Sequence, residues 1–187
     1  MTVQASIVAI IVLVGATNVA LIGAAERYPS IVIAENGLLE NLQLVVLLMT
    51  TIVLLSAAAR QTDATRAAAI ALAGASGAFF FRELDFRGLD LPVYLQVLTS
   101  AYVRDPVFLA MVLGIGIYMY INRHFLRDWI AMILHPRAAV LTAAAFFLAM
   151  GHLLDDIYGR TIWEEICEFN GYILFLAAAI NHYNIRQ

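Results

Sequence analysis

A chain of 187 residues that is 63% hydrophobic and only 13% charged falls well below the roughly 25% charge of soluble domains, in the range of helical membrane proteins. Its 11 basic residues are all arginine, set against 14 acids for a net charge of −3. The arginines are scattered without a basic aromatic patch, which argues against nucleic acid as a partner. The lack of lysine excludes a retinal Schiff base.

One cysteine, Cys167, excludes an internal disulfide and a cysteine-built zinc or iron–sulfur centre. It reads as a small apolar packing residue.

The first apolar run, residues 5–25, has no basic n-region and is longer than a signal-peptide core, so it reads as a retained helix. Residues 26–33 form a short connection broken by Pro29. The second helix is expected over about 36–56, with Arg60 and Arg66 flanking the next loop. The third is expected over about 66–81, stopping in FRELDFRG. Residues 89–104 are apolar but shorter than a span, and read as a helix on or dipping into the membrane surface. Asp105-Pro106 is an acidic cap followed by proline, the expected start of a fourth span that runs to about Asn122. Residues 123–137 mix Arg with Trp and Ile, as an interfacial amphipathic helix does. The fifth span is expected over about 138–154 and the sixth over about 162–183.

The expected fold class is therefore an all-α integral membrane protein, with residues 1–187 forming a single polytopic domain. It has about six transmembrane helices plus one or two interfacial ones. With the N- and C-termini cytoplasmic, Arg60, Arg66, Arg123, Arg127, Arg137 and Arg186 fall inside, as the positive-inside rule asks. Twelve of the 14 acids then fall outside, so the chemistry is expected on the outer, periplasmic side. The segments ENGLLENLQ, FRELDFRG and WEEICEFNGY resemble stretches of bacterial inner-membrane proteins, which makes the bacterial inner (plasma) membrane the expected location. The Glu-Glu-x-x-x-Arg pattern of CAAX-type intramembrane proteases is not met, because Phe169 and Asn170 follow where its arginine is needed.

The acids gather at matching ends of the apolar runs. On the second helix Asn36, Glu40 and Gln43 share a face. An acid one turn into a span is costly unless it is paired or faces a cavity, which marks Glu40 as a functional residue rather than a helix-gluing one. On the third, Glu83 shares a face with Ser76. Spacing also allows Glu83–Arg87 and Arg82–Asp85 ion pairs, a self-neutralised helix end, if the helix continues. His152 stands three and four residues before Asp155 and Asp156.

Thr161-x-x-Glu164 is a capping box, which accounts for Glu164 structurally. Glu165 and Glu168 lie three apart on the face that carries Tyr172. Two like charges at that spacing require that one be protonated or that a cation sit between them.

Carboxylate and His-x-x-Asp sets on neighbouring helices are how bundles build carboxylate-rich metal sites. The candidate ligands are Glu40, Glu83, His152, Asp155, Asp156, Glu165 and Glu168, with Glu165 and Glu168 also the candidate catalytic residues. The expected cofactor is a divalent metal ion from among Fe, Mn, Mg, Ca and Zn. The oxygen-rich set favours Mg, Ca, Mn or ferrous iron over copper or a structural zinc. A metal-dependent enzyme acting on a lipid or other amphiphile is the first expectation. The alternatives are a cation or proton transporter or sensor using the same acids, and a non-catalytic structural or assembly subunit whose acids pair with arginines. The expected partners are membrane lipid and a homo-oligomeric or other membrane partner.

Overall fold

The computed structural model describes residues 3–32, 37–85, 92–135, 138–158 and 162–183. It is all-helical, with no strand among the described residues. The helices are α1 (Val3–Arg27), α2 (Pro29–Val32), α3 (Leu38–Arg60), α4 (Asp63–Glu83), α5 (Val93–Leu98), α6 (Ala101–Ile121), α7 (Leu126–Leu134), α8 (Ala139–Tyr158) and α9 (Ile162–Tyr183). A 3₁₀ turn, Arg123–Phe125, leads into α7.

Three of these, α3, α4 and α6, are long and apolar enough to cross a membrane. Helices α7 and α8 would add a fourth crossing if counted together as one bent span, their axes meeting at 89°. Helix α9 is as long, but Glu164, Glu165, Glu168 and Asn170 weight one end, and Asn181 and His182 the other.

The core forms where α3, α4, α8 and α9 converge. Leu54, Ala73, Ala144, Phe175 and Ala179 interlock there, so each of the four helices contributes. Small side chains let the backbones come close, the packing available to helices that gain no hydrophobic drive from lipid. Contact is tightest between α8 and α9: a Cβ on Gly171 would stand 2.6 Å from Leu148 Cγ. The α4 glycines serve another neighbour, since a Cβ on Gly74 would meet Ile115 of α6 at 3.0 Å. Helix α1 joins at one end, where Leu21 packs on Leu39 and Phe169.

Two expected starts are corrected. Asp105-Pro106 does not begin a helix: α6 starts at Ala101, and Pro106 lies inside it. Past the first turn, its ring removes the backbone donor to the Tyr102 carbonyl and crowds that oxygen. Of the surface segment expected over 89–104, residues 89–91 lie outside the described residues, residues 93–98 form α5, and α6 absorbs the last four. Helix α4 begins at Asp63, three residues before the expected Arg66. Asp63 has φ 53°, a left-handed turn that aspartate accepts more readily than most residues.

Candidate functional site

The polar cluster comes from α3, α4 and α9. Helix α4 stops at Glu83, and Leu84 leaves it with an extended backbone (φ −71°, ψ 112°). With no further turn, Asp85 is not placed along a continuing helix to meet Arg82 at i+3. Arg87 lies outside the described residues. Arg82 reaches across to α9 instead: its Nη2 donates to Glu168 Oε1 at 2.6 Å and its Nε to Glu83 Oε1 at 3.1 Å. The Tyr172 hydroxyl donates to the same Glu83 oxygen at 2.8 Å.

The quartet lies deep. The Glu83 and Glu168 side chains are 12% and 6% exposed and Arg82 33%, while Tyr172 is fully buried. Phe79 walls the group, with its ring 5.9 Å from that of Tyr172 and 6.0 Å from the guanidinium carbon.

Glu165, one turn earlier on α9, turns to α3. There Gln43 Nε2 donates to its Oε2 at 3.0 Å and to its backbone carbonyl at 3.3 Å. Glu165 and Glu168 thus turn to two different neighbouring helices. Gln43 and Glu165 are both buried.

The other expected ligands lie around this core. Glu40 is half-buried on the flank of α3, beside the face that carries Leu39 and Gln43. Asn36 lies outside the described residues. His152 and Asp155 are exposed on α8, with no hydrogen bond between them among the described residues. The Asp156 side chain lies outside the described set. Among the described residues, no group of three or more His, Cys, Asp or Glu is placed to hold a metal ion. The cation that does meet Glu168 is a guanidinium.

A cavity of about 230 Å³ opens beside the cluster, lined by Phe79, Arg82, Leu148, Ala149, His152 and Glu168. It brings His152 and Glu168 to one space although no bond joins them. Beside His152, Gly151 lets α8 close on α9, because a Cβ there would stand 2.6 Å from Glu168 Cγ.

Arg82 is the residue that sequence reasoning assigned to a local pair. Its signal is visible in retrospect: a buried acid needs a partner, and Arg82 is the arginine placed at the acidic end of the Ala- and Gly-rich helix. No known protein family matches the chain, and neither does a curated protein or a solved structure.

Proposed function

We propose that this chain is a bacterial inner-membrane protein that binds a proton or small cation at Glu83 and Glu168, and that it works as a cation or proton transporter or sensor. In this reading it has six spans, both termini are cytoplasmic and the cluster faces the periplasm. The observation that carries it is that one guanidinium serves two carboxylates, Glu168 buried and Glu83 largely so. Tyr172 adds a hydrogen bond but no charge. With both acids ionised the quartet holds one negative charge in excess, which is expensive away from water. A proton or cation neutralises it, and the adjoining cavity is a route of entry.

The test is reconstitution into liposomes loaded with a pH-sensitive or metal-sensitive dye, with an imposed gradient. Flux in the wild type, lost in Glu168→Gln and retained in the exposed-site variant Asp155→Asn, is expected. Absence of flux, together with equal proton and cation uptake by the wild type and Glu168→Gln, overturns the proposal. That result leaves the pairing of Arg82 as a structural device of a membrane subunit.

A second reading is favoured by the cavity itself. Its apolar walls, Phe79 and Leu148, and its polar groups, His152 and Glu168, suit a lipid or other amphiphile. There the protein is a metal-dependent enzyme using Fe, Mn, Mg, Ca or Zn, with Glu168 and Glu165 as ligand or base. Roughly stoichiometric metal in the purified protein, lost in Glu165→Gln and Glu168→Gln, supports it.

A further inference from the structure

The two carboxylates that share Arg82 are held differently. Glu83 Oε1 takes two donors, Arg82 Nε at 3.1 Å and the Tyr172 hydroxyl at 2.8 Å. Glu168 Oε1 takes one, Arg82 Nη2 at 2.6 Å. The second oxygen of Glu168, Oε2, has no hydrogen bond among the described residues.

Their surroundings differ as well. Glu168 lines the cavity of about 230 Å³ beside the cluster, and Glu83 does not. Glu83 is the last residue of α4, with a side chain 12% exposed against 6% for Glu168. A carboxylate keeps its charge where donors and water are at hand, and loses it where burial and like charge oppose it. Glu83 has more donors and more exposure. Glu168 is deeper, and Glu165 stands one turn before it on α9. Every one of these differences makes a surplus negative charge harder to sustain on Glu168.

The ionisable groups around Glu168 are Arg82 and Glu83 of α4, Glu165 and Tyr172 on its own helix, and His152 of α8 in the same cavity lining. Helix α3 offers the neutral Gln43. Close contact with Gly151 on one side and the Arg82 bond on the other hold the Glu168 chain beside the cavity.

Resting on the reading of the cluster as a proton or cation site, we infer that Glu168, not Glu83, meets the incoming charge at its Oε2, and that Glu83 is the fixed counter-anion of Arg82. Tyr172 is the positioning residue, since its hydroxyl supports Glu83 in the charged form. A neutral carboxyl still accepts at its other oxygen. Glu168 Oε1 therefore keeps its bond from Arg82 while the charge on Oε2 comes and goes.

The test is labelling of the reconstituted protein with a lipophilic carbodiimide, in buffer free of small metal cations. The reagent adds to a protonated carboxyl. The acid proton passes to a carbodiimide nitrogen, the carboxyl oxygen bonds to the central carbon, and rearrangement leaves a stable N-acylurea. Peptide mass mapping identifies the residue that carries it. Label on Glu168 and none on Glu83 is expected. Glu83→Gln removes the surplus negative charge and lets Glu168 pair with Arg82 as an anion, so its label should fall about tenfold or more. Tyr172→Phe takes one donor from Glu83, and a share of the label should move there.

Label mainly on Glu83 overturns the assignment, as does Glu168 labelling that Glu83→Gln leaves unchanged. Label still confined to Glu168 in Tyr172→Phe overturns the part given to Tyr172. These outcomes leave the proton or cation reading standing. Circular dichroism checks folding, and should Glu83→Gln misfold, Tyr172→Phe decides. No label on either carboxyl overturns the assignment, and with no flux in liposomes it takes the underlying reading down as well.

Discussion

Gly151 of α8 touches Glu168 of α9 so closely that a single methyl group would displace the carboxylate chain. A Cβ at 151 would stand 2.6 Å from Glu168 Cγ and 3.3 Å from the backbone nitrogen of the same residue. The obstructing atom is near the Glu168 backbone, so the side chain cannot simply swing away. Gly151→Ala is therefore expected to push α8 off α9 and to loosen the Arg82–Glu168 bond. The overpacking should cost about 1–3 kcal/mol, measurable as a lowered unfolding midpoint in detergent. An unchanged midpoint would show that the two helices are not this close.

Arg82→Gln leaves Glu83 and Glu168 without their cation. A broken buried pair costs about 3–5 kcal/mol; because Arg82 is 33% exposed, the low end of that range is expected. Removing the surplus charge as well, in Arg82→Gln with Glu168→Gln, should recover part of the loss. A double-mutant cycle should give a coupling of about 0.5–3 kcal/mol, and strict additivity would deny the interaction.

Tyr172→Phe keeps the ring in its buried slot and removes only the hydroxyl. A hydrogen bond to a charged group contributes about 1.5–3 kcal/mol, so chemical denaturation should show a loss of that size. The Phe79–Tyr172 ring contact survives the change, which separates this variant from any core-cavity effect.

Gln43→Leu leaves Glu165 one side-chain donor short and removes a bond to the α9 backbone. A loss of about 1–3 kcal/mol is expected. A variant as stable as the wild type would mean that the remaining contacts of Glu165 suffice.

The opposite end of α9 is fastened separately. Gln61 Nε2 donates to the His182 carbonyl at 2.9 Å, and the His182 ring nitrogen lies 3.2 Å from the Thr65 carbonyl oxygen. Gln61→Ala should speed amide exchange in the last turn of α9 by roughly fivefold, the equivalent of one hydrogen bond. Exchange around Glu168 should stay unchanged. Hydrogen-exchange mass spectrometry resolves the two ends.

The helical architecture was legible because apolar runs of the right length between polar breaks leave few alternatives. Residues 162–183 were bounded as α9 has them, and Pro29, read as a breaker, opens α2. The site was legible in its acids. Glu83, Glu165 and Glu168 do enter a polar cluster, and Tyr172 and Gln43 do lie on the faces that spacing assigns. What spacing could not reveal was the partner. Whether Arg82 pairs along its own helix or across to another depends on where α4 stops, and a stop at Leu84, with neither proline nor glycine to mark it, has a weak signature. His152 shows the converse limit. Its distance from Asp155 in sequence is that of one helical turn, yet it faces a cavity shared with α9, because the close approach of α8 at Gly151 sets which way that face looks.

The position of α9 within the core also bears on how the protein is made. It supplies Phe175 and Ala179 to the common core and Glu165, Glu168 and Tyr172 to the cluster, but ribosomes produce it after α3, α4 and α8. Until then Arg82 and Gln43 have no α9 groups to meet. Helix α9 is itself loaded with acids at its start, and its Glu165 and Glu168 meet Gln43 and Arg82 of helices already in place. It therefore docks after the three helices that it packs against. A nascent chain halted before that step would leave Arg82, Gln43 and Gly151 facing the gap that α9 fills, a polar and loosely packed surface in place of a closed core.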